Sequence, residues 1–253
     1  MSFISLGLSE HLVTALSELG YQQPTPIQQK AIPATLEGRD VLAAAETGSG
    51  KTAGFSLPIL QRLLTEEKPS GNHVAALVLV PTRELAVQVE EAVRQYARHF
   101  PRKLKALAVY GGVSINPQMQ GMRGGCDVLV ATPGRLIDLI ERNAVKLNTV
   151  DTLVLDEADR MLDLGFADEL RTILDLLPKK RQNLLFSATF PQDVRALIDN
   201  LLVNPVEIEI QQESTIPEQL VQTAIEVDRD NRTALLKHLL EQENWTQVLV
   251  FVA

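Results

Sequence analysis

The sequence predicts an α/β fold: a mostly parallel sheet covered by helices on both faces, followed by an incomplete second α/β domain. Three observations carry the prediction. Apolar runs of strand length recur along the chain, segments with helical spacing of apolar residues separate them, and a glycine-rich turn at 45–52 joins one strand to one helix. Parallel neighbours need a crossover, usually a helix, and strands buried on both faces read as near-continuous apolar runs. With 253 residues, 45% hydrophobic and 22% charged, the chain can bury a full core and is neither disordered nor fibrous.

The elements follow in order. Leu12, Val13, Leu16 and Leu19 share one helical face, with Ser9 placed to cap its start and Gly20 to end it. Residues 20–28 read as that helix stop, followed by a helix opened by proline. Strands are expected near 40–44, 74–80, 105–110, 127–131, 150–155, 183–187 and 205–210. Helices are expected at Glu84–His99, Pro133–Arg142, Phe166–Leu177 and Gln192–Leu202. Past residue 210 the texture changes, and Gln211-Gln212-Glu213-Ser214-Thr215-Ile216-Pro217 reads as a linker. A strand (Val221–Val227), a helix (Asn231–Glu241) and a strand (Gln247–Val252) are expected after it. The run Val248-Leu249-Val250-Phe251-Val252 needs neighbours on both sides, so this stretch reads as the opening of a second domain, cut off.

Composition narrows the function. The longest apolar run, 74–80, is strand length and far short of a membrane span. Residues 1–5 show no basic region leading into an apolar stretch, so no secretion signal is expected. A single cysteine, Cys126, excludes an internal disulfide and suits a reducing compartment, so a cytoplasmic address is expected. The net charge of −8, half of it in residues 211–253, argues against tight non-specific nucleic-acid binding. The basic clusters Arg98, Arg102, Lys103, Lys105 and Lys179, Lys180, Arg181 read as solvated faces or helix ends.

Two segments carry chemistry. Ala45-Glu46-Thr47-Gly48-Ser49-Gly50-Lys51-Thr52 follows the apolar run Val41-Leu42-Ala43-Ala44 and precedes a helical segment. Gly48 and Gly50 let the chain curl so that successive N–H groups point at an anion, and the helix adds its positive end. Lys51 would reach the β- and γ-phosphates, and the Thr52 hydroxyl would ligate Mg²⁺. Ala45 stands where the motif usually opens with glycine. A chance Gly-x-Gly-Lys-Ser/Thr in a chain of this length has odds of about 1 in 100. The second segment, Asp156-Glu157-Ala158-Asp159, ends the apolar strand Leu153-Val154-Leu155. Ligands of open α/β sheets sit at the carboxyl ends of strands, so both segments share one edge. Asp156 is expected on Mg²⁺, partly through water, and Glu157 on the attacking water. Together they imply binding and hydrolysis of a nucleoside triphosphate. No Asn-Lys-x-Asp guanine-reading motif occurs in the sequence.

With these residues in view, the chain resembles the amino-terminal half of a DEAD-box ATP-dependent RNA helicase. Beyond 45–52 and 156–159, the resemblance rests on Gly20-Tyr21-Gln22-Gln23-Pro24-Thr25-Pro26-Ile27-Gln28, the family's glutamine motif, with Phe3 upstream. It also rests on Pro81-Thr82-Arg83-Glu84-Leu85, Gly111-Gly112, Thr132-Pro133-Gly134-Arg135 and Ser187-Ala188-Thr189. The stretch from Gly111 to Met119 is most similar to the bacterial RhlE-like branch. The resemblance implies a RecA-like nucleotide-binding domain and divides the chain into a glutamine-motif segment (1–29), the ATP-binding domain (30–210), a linker (211–220) and the truncated start of the carboxy-terminal helicase domain (221–253).

What the resemblance implies at each site is specific. ATP would be held by residues 45–52, with Gln28 reading adenine as a bidentate amide, Tyr21 supplying a ring for stacking, and Phe3 also counted among the ATP-binding residues. Asp159, Ser187 and Thr189 would couple hydrolysis to RNA release. Pro81, Thr82, Arg83, Gly111, Gly112, Thr132, Pro133, Gly134 and Arg135 would meet the RNA backbone. RNA should bind weakly without the second lobe, whose arginines the family uses at the γ-phosphate. The fragment is expected to be monomeric and largely inactive alone. The other reading is a nucleotide-switched binding module that does not unwind RNA.

Overall fold

The computed structural model describes residues 1–46, 48–65, 73–210, 223–242, 245 and 247–251. Two compact units result, Met1–Gln211 and Gln212–Ala253. In the first, the strands are β1 (Val41–Ala44), β2 (Val74–Leu79), β3 (Ala106–Val109), β4 (Cys126–Ala131), β5 (Thr152–Asp156), β6 (Gln182–Ser187) and β7 (Val206–Glu209). The helices are α1 (Glu10–Glu18), α2 (Pro26–Leu36), α3 (Lys51–Thr65), α4 (Arg83–Tyr96), α5 (Ile115–Gly121), α6 (Pro133–Glu141), α7 (Ala158–Asp163), α8 (Ala167–Leu176) and α9 (Gln192–Leu201). All seven expected strands form, in one parallel sheet of order β3-β4-β2-β5-β6-β1-β7.

Alternation within each strand builds two cores. Val41, Ala43, Val78, Val130, Val154, Leu184 and Phe186 face one side, under α1–α4. Leu77, Leu79, Leu129, Leu153, Leu155 and Leu185 face the other, under α6–α9. Helices on both faces explain why β2, β4, β5 and β6 are buried at every position. On the first face α3 lies against the sheet through Phe55, whose ring centroid is 5.4 Å from that of Phe186.

Register aligns the chemistry. Ala43 stands opposite Phe186, and Phe186 opposite Asp156, so β1, β6 and β5 end side by side. The turn that follows β1 and the acids that close β5 therefore share one edge, with β6 between them.

Sequence periodicity missed two short helices, α5 and α7. In α5 no residue is buried, so no apolar stripe marks it. In the second unit α10 (Arg232–Gln242) forms, preceded by a 3-10 turn at Arg229–Asn231. The strands expected at 221–227 and 247–252 are corrected: residues 223–228 and 247–251 carry no strand. Strand conformation is held by a partner's ladder bonds, and an apolar run without one does not become a strand by composition. The expected linker, 211–220, lies outside the described residues, as do 221, 222 and 252.

Candidate nucleotide site

The phosphate loop spans the gap from β1 to α3; Thr47, expected in it, lies outside the described residues. Gly48 (φ 84°) and Gly50 (φ 95°) take left-handed backbone that other residues adopt only under strain. At Gly50 space is limiting as well. A Cβ there would lie 2.5 Å from Gln28 Nε2 and 2.9 Å from Thr25 Oγ1. Ser49 Oγ donates to Glu46 O at 2.8 Å across the turn. Ala45, at the usual glycine position, is buried, and its N–H donates to Ser187 O at 3.1 Å. Helix α3 begins at Lys51, so its first N–H groups and its positive end adjoin the loop.

Two of the side-chain atoms that are buried without a hydrogen-bond partner among the described residues lie at this edge. Lys51 is 6% exposed and Asp156 2%, yet Lys51 Nζ and Asp156 Oδ1 form no hydrogen bond. Burial pushes the Asp156 carboxyl up to about 6; the Lys51 ammonium draws it down and Glu157 raises it further. Leaving a buried ammonium and a buried carboxylate oxygen without hydrogen bonds is unfavourable, and an anion with its own cation would satisfy both.

Glu157 occupies the left-handed region (φ 54°, ψ 52°) at the start of α7, a strained position for a residue with a Cβ. Its carboxylate is paired with Arg160 Nη1 at 3.1 Å. The next acid is more firmly held. Asp159 Oδ2 accepts from Thr189 N–H (2.9 Å) and Thr189 Oγ1 (2.8 Å), while Asp159 N–H donates to Ser187 Oγ (3.2 Å). These bonds hold the Asp159 carboxyl below its ordinary range, although burial acts the other way. Ser187 thus touches both segments: its carbonyl accepts from Ala45 N–H, and its hydroxyl accepts from Asp159 N–H.

Gln28 sits where the glutamine motif adjoins the loop, and its amide is engaged. Oε1 accepts from Thr25 N–H at 3.0 Å, and Nε2 donates to Gly50 O at 3.1 Å. The first bond is the returning half of a capping box on α2; the Thr25 hydroxyl itself is buried without a partner. Gln28 is 1% exposed, and beyond these two bonds its amide keeps one N–H and one oxygen lone pair. Phe3, expected among the ATP-binding residues, is 4% exposed and belongs to the core. Tyr21 is 36% exposed, with its ring edge-on to Phe3 (6.5 Å) and to Tyr96 (6.0 Å).

The residues expected on RNA lie on loops and helix starts after β2, β3 and β4. Thr82 caps α4, accepting from Leu85 N–H at 3.3 Å, behind a buried Pro81. Arg83 is exposed and lies over the Tyr110 ring, 5.1 Å from its centroid. Gly111 and Gly112 are exposed, and Thr132 and Pro133 are buried at the start of α6, with Gly134 partly so. Arg135 differs from expectation. Only 9% exposed, it donates to Val113 O at 2.9 Å and lies 3.5 Å from Asp138. The first turn of α6 folds this side chain inward, where Nη2 reaches the 111–113 loop while Nε and Nη1 form no hydrogen bond among the described residues.

Three neighbours were not singled out from sequence: Thr25, Arg160 and Tyr96. Thr25-x-x-Gln28 before an apolar run is a capping-box signature and could have revealed the first. Arg160 stands three residues after Glu157 on one helical face, a spacing at which charges meet. No local signal joins Tyr96 to Tyr21, 75 residues away.

Comparison with known proteins agrees with this geometry. The profile of the DEAD/DEAH box helicase family matches residues 25–197, which takes in Gln28 and leaves out Tyr21 and Phe3. The chain is 42% identical over 252 residues to the RNA helicase CrhR of Synechocystis, covering 99% of this chain and 50% of that protein. It is 42% identical over 251 residues to the ATP-dependent RNA helicase DeaD of Escherichia coli, covering 99% of this chain and 39% of that one. It spans half or less of these relatives' length. A crystal structure of a hypothetical ATP-dependent RNA helicase from Sulfolobus tokodaii superposes with a TM-score of 0.71 at 36% identity, over 80% of this chain and 57% of that chain. The relatives named here do not place the chain in the RhlE-like branch. Fold, phosphate loop, acidic turn and family profile converge: the chain belongs to the DEAD/DEAH box helicase family.

Proposed function

We propose that the chain is the nucleotide-binding half of an ATP-dependent RNA helicase, acting with Mg²⁺. The observation that carries this reading is the pair of orphaned buried atoms, Lys51 Nζ and Asp156 Oδ1, at one edge of the sheet beside a loop of inward-curling glycines. A polyphosphate suits the loop N–H groups and Lys51. Thr52 and Asp156 would hold Mg²⁺. Among the described residues no group of three or more His, Cys, Asp or Glu could hold a metal. That fits Mg²⁺, which takes one or two protein carboxylates and fills its shell with phosphate and water. Bound there, Mg²⁺ would neutralise charge developing on the phosphates.

The protein's own residues divide the remaining work. Lys51 brings positive charge to the transferred phosphate. Glu157, once free of Arg160, orients the attacking water and accepts its proton. The bonds from Thr189 and Ser187 to Asp159 tie the acidic turn to β6, a route by which hydrolysis could be felt beyond the nucleotide. Gln28 meets adenine through the N–H and the lone pair that its bonds to Thr25 and Gly50 leave over. RNA meets the exposed rim at Thr82, Arg83, Gly111 and Gly112 and the backbone at 132–134; Arg135 supports that rim. One buried cysteine, Cys126, and a monomeric state in the cytoplasm are in keeping with this reading.

The relatives are about twice as long or more, so unwinding belongs to a protein completed by a second lobe. ATP turnover measured with and without RNA, on this chain and on a two-lobe form, tests the proposal. We expect feeble turnover from the chain and RNA-stimulated turnover from the completed protein. RNA-independent turnover in both would favour the nucleotide-switched module instead.

A further inference from the structure

We propose that Tyr96 is the positioning residue that holds the Tyr21 ring ready for the nucleotide base. The inference rests on the reading that Tyr21 stacks against that base. Three observations support it. The two hydroxyls meet at 3.0 Å, a hydrogen bond in which either can donate. The rings stand nearly perpendicular, at 84°, with centroids 6.0 Å apart, so Tyr96 does not lie stacked on the Tyr21 ring. The burial is unequal: Tyr96 is 3% exposed and Tyr21 is 36% exposed. One partner is an anchor; the other is presented.

The chain path explains why an anchor is needed. Gly20, left-handed at φ 84°, ends α1, and Tyr21 N–H returns to Leu16 O at 2.9 Å. That turn fixes the backbone of Tyr21 but not its side chain, which projects beside a shallow depression lined by Leu19, Gly20, Gln22 and Gln23. Phe3 touches the ring edge-on from one side and offers no polar group. Tyr96 supplies the directional bond. It is the last residue of α4, and just beyond it Arg98 (3.1 Å) and His99 (2.9 Å) pair with Glu18 of α1. The anchor itself is packed in the core, which leaves its ring little room to move.

Two ligands separate base contacts from phosphate contacts: ADP carries both, and tripolyphosphate carries phosphates alone. We expect Tyr96→Phe, which keeps the buried ring, to weaken ADP about five-fold, the worth of one net hydrogen bond, and to leave tripolyphosphate unchanged. Tyr21→Phe should lose the same factor, and the double variant no more than either single one, because all three lack the same bond. Thermal stability should behave differently. Tyr21→Phe strands the Tyr96 hydroxyl in the core, whereas Tyr96→Phe leaves the Tyr21 hydroxyl within reach of water, so Tyr21→Phe should melt lower. A merely structural Tyr96 would change melting and leave ADP affinity alone. Unchanged ADP binding by Tyr96→Phe, with Tyr21→Ala still weakened, overturns the proposal. Equal losses for ADP and tripolyphosphate overturn it too. If Tyr21→Ala binds ADP normally, the base-stacking reading fails first and the proposal with it.

Discussion

Gln28 offers the sharpest test of the nucleotide-free structure, because its amide is committed at both ends. In Gln28→Ala, Thr25 N–H loses its acceptor and Gly50 O loses one of two donors, the other being Gly54 N–H. Loss of a cap costs about 1 kcal/mol, and the second hydrogen bond about another. The truncated side chain also leaves a small void, so the total should reach about 2–3 kcal/mol. For a unit of this size each kcal/mol moves the melting temperature by about 2–4 °C, giving a fall of roughly 4–12 °C. Gln28→Glu separates the two bonds. A carboxylate still accepts from Thr25 N–H, but it places an oxygen against Gly50 O, at a site 1% exposed. Its folded pKa must therefore rise, and the protonated acid can donate where the amide did. The deficit of Gln28→Glu should be large near pH 8 and shrink as pH falls below that raised pKa. The assay is thermal unfolding without nucleotide at several pH values. An unaltered melting temperature in Gln28→Ala, or a pH-independent deficit in Gln28→Glu, would refute the double engagement of the amide.

Four further outcomes are expected. In the two-lobe protein Glu157→Gln should retain ATP binding and lose turnover, whereas Lys51→Ala should weaken binding; comparable losses of affinity would show the roles to be misassigned. Asp156 titrates near 6, so Mg²⁺-dependent ATP affinity should fall as pH drops through that value and the carboxylate takes a proton. Without nucleotide the sign reverses: a raised carboxyl pKa stabilises the fold below the ordinary value and the gain is lost as pH rises through 6, by at most about 3 kcal/mol. Asp156→Asn should therefore melt higher than the parent near pH 7.5 and less so near pH 5, which calorimetry can check. Gly50→Ala should lower stability by about 1–3 kcal/mol, through its positive φ and the crowding against Gln28 Nε2, measured by urea unfolding.

Much of this was legible in the sequence because it is local. Apolar runs bounded by turns gave seven strands, and the phosphate loop and acidic turn needed no knowledge of distant residues. What escaped was set by packing. Arg135 is charged and near a helix start, so sequence places it at the surface; only the fold turns it toward Val113. Gln28 carries both a capping pattern and a base-reading amide, and the sequence alone does not show that its Nε2 also reaches Gly50 O, 22 residues away. The run at 247–251 has strand composition, but pairing makes a strand, and pairing is not a property of five residues.

Ser187 gives its main-chain oxygen to Ala45 and its hydroxyl to Asp159, and the difference between those two groups matters to anyone who edits the gene. Every amino acid has a carbonyl, so no replacement at 187 can cut the link to 45. Ser187→Ala silences half of the residue and leaves the other half untouched. A mild phenotype there would say little about how tightly the two segments are tied. The untouched half yields only to chemistry on the chain itself: an ester in place of the amide at 45 deletes the N–H and leaves every side chain as it was.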